Sequence, residues 1–321
     1  MEENITLLEK YQPKTLADVH GHDTIRQILM KMVEQQNVPH MMFTGEPGNG
    51  KSTTAMALIR DLYGDDYKSN YIKFDASSDR GIDTIRGRVK EATKYKSLNH
   101  DFKVILLEES DELTSQAQFA LREIMLKNQK ITRFIFVSNN LNKIIPPIQD
   151  RMQIFRFPPL RMDDISLHLK FITKEENITI TTQQISTIAT LADGSMRNAV
   201  NALQTVATQD EITDTLIRTL MGSKFDPKAA GKILKHVLAG EQDIWEHEVF
   251  NLVYQEGFTP EEVMHGILDV LIAKNDPKII KMITLLAEFD FRMSQGVNPL
   301  LQLRCGLVRL GNLSHNGTNR K

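Results

Sequence analysis

The sequence has almost no cysteine: Cys305 is the only one in 321 residues. One thiol closes no internal disulfide, so a disulfide-stapled scaffold is excluded and a reducing compartment is expected. Charge of one sign is also lacking. Lysine and arginine number 39 against 41 aspartates and glutamates, a formal net charge of -2. Nothing global therefore points to nucleic acid, and any DNA contact has to come from a local basic face. No apolar run is long enough to span a bilayer. The acidic start, Met1-Glu2-Glu3-Asn4, has no signal-peptide core. A cytoplasmic or nuclear setting, neither secreted nor membrane-bound, is the expectation. Asn-x-Ser/Thr triplets at Asn4, Asn177, Asn312 and Asn316 carry no weight in such a chain. Neither a fixed-period repeat nor a low-complexity tract is present.

What remains is ordinary globular material, 41% hydrophobic and 25% charged, long enough for two or three domains. The organising stretch runs from Met41 to Ser52. A short apolar run leads into Gly45-Glu46-Pro47-Gly48-Asn49-Gly50-Lys51-Ser52, and a helical pattern follows from Thr53 to Leu62. Strand, glycine-rich loop and helix in that order is the context a phosphate-binding loop requires. Glycines let backbone N–H groups turn inward toward phosphate oxygens, and the helix brings its positive end to the same place. Lys51 is placed to reach the phosphates and Ser52 to hold Mg²⁺. A chance glycine turn would not have this context.

Strands and helices alternate through the first half. Tyr71–Phe74, Val104–Leu107, Phe134–Val137 and Ile154–Phe157 read as strands, which predicts a parallel, doubly wound sheet. Val104–Leu107 is continuously apolar and ends in Glu108-Glu109-Ser110-Asp111. Carboxylates at that strand end suit a metal-side acid followed by a water-orienting acid. Asn139 stands at the end of the next strand. A helix over Ile82–Lys96 is expected to bury Ile82, Ile85, Val89 and Ala92. On another face it carries Arg86, Lys90 and Lys94, with Arg88 and Lys96 adding charge. That stripe is either a solvated exterior or a phosphate-facing surface. Ser115–Lys127 reads as a further helix, containing Phe119, Leu121, Ile124 and Met125. The segment Lys10-Tyr11-Gln12-Pro13 is either a rigid surface arm or a flap over a nucleotide base. After Pro158-Pro159 every pattern is helical; residues 223–228, with Gly222-Ser223 and Asp226-Pro227, read as a linker and Ser314–Lys321 as a polar, disordered tail.

Taken together, these stretches resemble the AAA+ ATPases, and within them the replication factor C small subunits, loaders of ring-shaped sliding clamps. The resemblance covers essentially the whole chain. Its most specific stretches are Lys10 to Leu16, Gly45 to Ser52, Ala76-Ser77-Ser78-Asp79-Arg80-Gly81-Ile82, Ile144 to Arg151 and Gly194-Ser195-Met196-Arg197. It implies an α/β nucleotide-binding domain with a parallel five-stranded sheet (1–158), a helical lid (159–223), an all-α collar (228–313) and a tail (314–321). It also implies roles. The loop residues Gly45 to Ser52, with Thr53, Tyr11 and Val19, hold ATP; Ser52 and Glu108 hold Mg²⁺. Glu109 activates water and Asn139 orients it. Arg197 touches the γ-phosphate of its own subunit, and Arg151 is an arginine finger for the neighbouring one. Arg80, Arg86, Arg88 and Lys90 turn toward DNA phosphates. The implied partners are a sliding clamp, primer–template DNA and other loader subunits, including a large one. No clamp-binding peptide is seen at the C-terminus, so clamp contact is expected from a face of the ATPase domain.

The sequence departs from the family at three places. Glu108 replaces the usual aspartate, and its extra methylene is expected to shift the metal or a bridging water. Asp150-Arg151-Met152 replaces Ser-Arg-Cys, so a carboxylate either pairs with the finger or points to solvent. Gln12 replaces an arginine. Two other readings stay open: a nucleotide-binding scaffold subunit that does not hydrolyse, and a different AAA+ machine such as a Holliday-junction motor or a protein remodeler.

Overall fold

The computed structural model describes residues 5–78, 81, 83, 85–94, 96–97, 99–209, 211–221, 227–274 and 279–316, the side chains of 86 and 314–316 excepted. Short aliphatic and aromatic runs buried on both faces force a parallel sheet covered by helices. β1 (Met41–Thr44), β2 (Tyr71–Asp75), β3 (Lys103–Glu108), β4 (Thr132–Ser138) and β5 (Gln153–Arg156) pair in parallel in the order β2-β3-β4-β1-β5. Successive side chains alternate between faces. Val104 and Leu106 join Leu58 and Ile59 in one core, while Ile105 and Leu107 join Phe134 and Leu121 in the other. Each fully buried side chain of this kind contributes roughly 1.5–3 kcal/mol. Register aligns Leu107 with Phe136 and Thr44 with Ser138, so β3, β4 and β1 end at one rim.

α1 (Asp23–Glu34), α2 (Lys51–Tyr63) and α3 (Ser115–Asn128) cover the sheet. α2 begins two residues before the expected Thr53, because Gly50 at φ +87° turns the chain directly into it. In α3, Leu121, Ile124 and Met125 are buried but Phe119 is exposed. The expected helix over 82–96 is different in kind. A π-turn, Ile85–Val89, runs into a single α-turn, Lys90–Ala92. Ile85 and Val89 are buried as expected, and Ile82 lies outside the described residues. The wider turn removes the strict α spacing on which the basic stripe was read.

The chain divides into two compact units, Met1–Met221 and Gly222–Lys321. The first also contains a helical bundle of α4 (Met162–Glu175), α5 (Thr182–Leu191), α6 (Met196–Val206) and α7 (Asp214–Met221). Ile165, Leu169, Ile172, Ile188 and Leu203 form its core. The Ser195 hydroxyl caps α6 by accepting from the Asn198 N–H at 3.3 Å. The second unit is all helical: α8 (Pro227–Ala239), α9 (Gln242–Phe250), α10 (Pro260–Ala273), α11 (Ile279–Ser294) and α12 (Pro299–Asn316). Leu234, Trp245, Met264, Phe289 and Leu307 are central to its core. α12 passes close to α8 at Gly311, where a Cβ would stand 3.0 Å from the Val237 carbonyl oxygen. Its backbone stays helical through 314–316, part of the stretch expected to be a disordered tail. The linker at 222–226 and the tail beyond 316 lie outside the described residues.

Two glycines should respond oppositely to alanine. Gly194 has φ +78°, and its Cβ would meet Pro159 Cβ at 2.3 Å. Gly231, inside α8, has open space around its Cβ position. Gly194→Ala is expected to destabilise by about 2 kcal/mol or more. Gly231→Ala is expected to stabilise by up to about 1 kcal/mol. Circular-dichroism melts of the two variants against the parent check both signs.

Candidate functional site

The glycine-rich loop is shaped by what presses on it. Gly45 (φ +148°) has no room for a Cβ, which would lie 2.2 Å from the Phe157 carbonyl oxygen. At Gly48 (φ +86°) a Cβ would lie 2.0 Å from Ser195 Oγ. Gly50 (φ +87°) is different: nothing stands within 4 Å, so only its backbone sign demands glycine there. The loop is also hydrogen-bonded from both sides. Phe157 N–H donates to Thr44 O at 2.7 Å, Asn49 Nδ2 donates to Phe157 O at 3.2 Å, and Met196 N–H donates to Gly48 O at 3.1 Å. His22 Nε2 lies 2.9 Å from Asn49 O.

Lys51 is buried, and its Nζ donates to the carbonyl oxygens of Gly45 and Glu46, both at 2.7 Å. Burial pushes its ammonium down to about 8, with Arg197 adding to the fall and Asp111 and Glu108 opposing it. The Ser52 hydroxyl donates to Glu108 Oε2 at 2.6 Å, and Lys73 Nζ stands 3.6 Å from Glu108 Oε1. The longer glutamate arm thus reaches the serine directly. Hydroxyl and carboxylate are hard oxygen donors of the kind a small divalent cation takes. Glu109, just past β3, has φ +49°, a left-handed backbone that a non-glycine residue adopts at some cost. Two neighbours secure this rim. Ser110 Oγ donates to Val137 O at 2.9 Å, and the buried Asp111 carboxylate accepts the Asn139 N–H at 3.1 Å. The sequence reading singled out neither.

These groups open onto a cavity of about 340 Å³. Gly50, Lys51, Ser52 and Thr53 form its floor, with Pro47 and Gly48 at the loop's bend. Glu108 and Glu109 reach it from β3, Asn139 from β4 and Arg197 from α6. Tyr11 and Val19 close another wall. Gly45, Glu46 and Asn49 lie behind the loop; the first two supply carbonyls to Lys51 and the third its buried brace. The Tyr11 segment, the flap, is tied to the helical bundle and walls the cavity. Leu7 N–H donates to Gln204 Oε1 at 2.8 Å, Tyr11 Oη donates to Glu176 Oε1 at 2.5 Å, and Lys10 Nζ pairs with Glu176 at 2.6 Å. Gln12, too, lines the cavity.

Other expected residues are not gathered there. Arg151 is half-buried away from its own chain's cavity, its Nη1 donating to Pro147 O at 2.6 Å. Asp150 is exposed and not a partner of it. Lys90 is exposed, and the Arg88 guanidinium lies 5.3 Å from the Phe74 ring centroid. Arg80 and the side chain of Arg86 lie outside the described residues. Among the wall residues that were missed are His20 and His168, whose rings meet at 4.6 Å. Burial, with His20 nearby, pushes buried His168 down to about 4, so it is neutral at physiological pH. No sequence pattern announces either histidine.

Residues 41–160 match the family model described as ATPase family associated with various cellular activities (AAA). Residues 225–309 match the replication factor C C-terminal domain. The replication factor C small subunit of Methanococcus maripaludis is 39% identical over 312 residues, spanning 95% of this chain and 98% of that protein. That of Sulfolobus acidocaldarius is 37% identical, spanning 97% of each. Among solved structures, the Thermotoga maritima RuvB Holliday junction branch migration motor superposes with a TM-score of 0.55 over 77% of this chain and 88% of that one, at 15% identity. That likeness is one of fold. Among the described residues, no helix is long and apolar enough to cross a membrane.

Before a nucleotide binds, burial leaves Lys51 a cation only below a pKa of about 8. A bound phosphate raises that pKa, so affinity is expected to be flat below pH 8 and to fall by up to about tenfold per pH unit above it. Titration with a fluorescent nucleotide across pH 6.5–9.5 reads the break. Lys51→Arg, charged throughout, should bind more weakly but without the break.

Proposed function

The chain belongs to the replication factor C small subunits, AAA ATPases of the clamp-loader complex, and on that premise we propose that it hydrolyses ATP between subunits to load a sliding clamp onto primer–template DNA. The observation that carries this reading is a division of labour. Lys51, Ser52, Glu108, Glu109, Asn139 and Arg197 converge on one cavity, while Arg151 sits away from it. An arginine that does not reach its own site is suited to a neighbour's.

In this mechanism the loop N–H groups and Lys51 hold the phosphates, and the loop backbone is already fixed for this by Phe157 and Met196. Ser52 and Glu108 fit Mg²⁺: both are oxygen donors, they already touch, and both line the cavity. When bound, that ion neutralises charge on the phosphate oxygens. Glu109 accepts a proton from the attacking water, and Asn139 orients that water, its backbone held by Asp111. Arg197 meets the γ-phosphate from the bundle. Arg151 of an adjacent subunit completes the site, so turnover waits for assembly. Residues 1–158 act as the ATPase domain, 159–223 as the lid and 228–313 as the collar. Exposed Phe250, Tyr254 and Phe291 suit collar contacts with other subunits, a large one among them. Arg88 and Lys90, with Arg80 and Arg86, face DNA phosphates. The setting is cytoplasmic or nuclear.

Steady-state hydrolysis with and without primer–template DNA tests this. Lys51→Ala and Arg151→Ala are each expected to lose DNA-stimulated turnover by about a thousandfold or more. Mixing the two variants should restore part of it, because one supplies an intact loop and the other an intact finger. No recovery on mixing, with both variants still assembling, would sink the proposal that the finger acts across the interface.

A further inference from the structure

Tyr11, His20 and His168 are shared between the nucleotide cavity and a larger open groove of about 770 Å³ on the same unit. The groove is cationic in a protein that is nearly neutral. Lys10 and Lys14 come from the flap, Arg26 from α1, and Lys170 and Lys174 from α4. Asp18 is the one carboxylate in its lining, and it is already taken, accepting from Thr15 N–H at 3.0 Å and Thr15 Oγ1 at 2.8 Å. Lys10 is paired with Glu176 and Arg26 with Asp23. Lys14, Lys170 and Lys174 have no carboxylate partner among the described residues and are exposed. They stand on both sides of the groove, Lys14 on the flap and the other two one turn apart on α4.

Between them lies an aromatic surface. Phe171 is 48% exposed although α4 has a well-filled buried face. Its ring is fixed edge-on by Tyr11 at 5.8 Å and lies nearly parallel to His168 at 6.4 Å. A rigid, half-exposed ring flanked by unpaired cations on two walls is what a flexible polyanion with flat bases requires. Phosphates meet the lysines and a base stacks on the ring. An acidic amphipathic helix fits less well. It needs an apolar strip several turns long, and the large exposed apolar side chains here are Leu167 and Phe171, a single turn.

We propose that this groove binds single-stranded nucleic acid, at a site separate from the basic π-turn. Because Tyr11 and His168 also wall the nucleotide cavity, a strand lying there touches the residues that touch the nucleotide.

The test uses the full chain and a short fluorescein-labelled oligothymidylate, with anisotropy read at several salt concentrations. Lys170→Glu/Lys174→Glu is expected to weaken binding at least tenfold and to lower the slope of log affinity against log salt by about 1.4, two phosphates' worth. Phe171→Ala should weaken binding about fivefold or more with the slope unchanged. Fluorescent-nucleotide affinity should hold in all variants, which keeps a folding defect apart from loss of the site. Photocrosslinking with an iodouracil-containing strand should label the α4 peptide. Unchanged affinity and slope in the variants, or crosslinks confined to other segments, would overturn the proposal. So would lysine-dependent binding of a glutamate-rich peptide without crosslinking of the strand to α4.

Discussion

Everything at the site depends on one backbone being gripped by two others. The phosphate loop lies against the Phe157 carbonyl on its sheet side and against Ser195 and Met196 on its bundle side, so close that Gly45 and Gly48 admit no Cβ. The loop's shape is therefore set by tertiary contact as much as by glycine freedom. In consequence the sheet and the helical bundle of the first unit are joined at the point where phosphate chemistry belongs. A change in the loop must be felt in both.

The rim of the sheet shows how the chemistry is held in place. β3 and β4 end side by side, and the short polar run after β3 stitches them together through Ser110 and Asp111. Asp111 has a double part, since it anchors the Asn139 backbone and also supports the positive charge of Lys51. One buried carboxylate thus links Asn139 to Lys51. Glu109, just before Ser110 and Asp111 in the chain, holds a left-handed backbone conformation, a local cost that the surrounding hydrogen bonds sustain.

Much of this was legible in the sequence. Continuous apolar runs gave away the strands, because a parallel sheet hides both faces and needs no alternation. The glycine loop and the acids after Val104–Leu107 were legible because phosphate and metal chemistry restricts residue type at fixed spacing. What escaped depended on distant contact. Asp111 reads as one more acid until its partner, 28 residues on, is seen. His20 and His168 are brought together from two separate elements. The π-turn at Ile85–Val89 escaped because a single inserted residue leaves the buried positions nearly as an α-helix would have them. Leu167 and Phe171 are apolar yet face outward, because α4 fills its buried side with Ile165, Leu169 and Ile172.

The bond from Met196 to Gly48 gives α6 the geometry of a lever. Its fulcrum is the loop itself, and its arm is 11 residues, about 16 Å. The flap is hung near the opposite end, where Leu7 holds Gln204. A rotation of about 10° at the fulcrum carries the far end through about 3 Å. Travel is gained at the expense of force. Any rotation of α6 about the loop would therefore be carried to Leu7, at the start of the segment that walls the cavity.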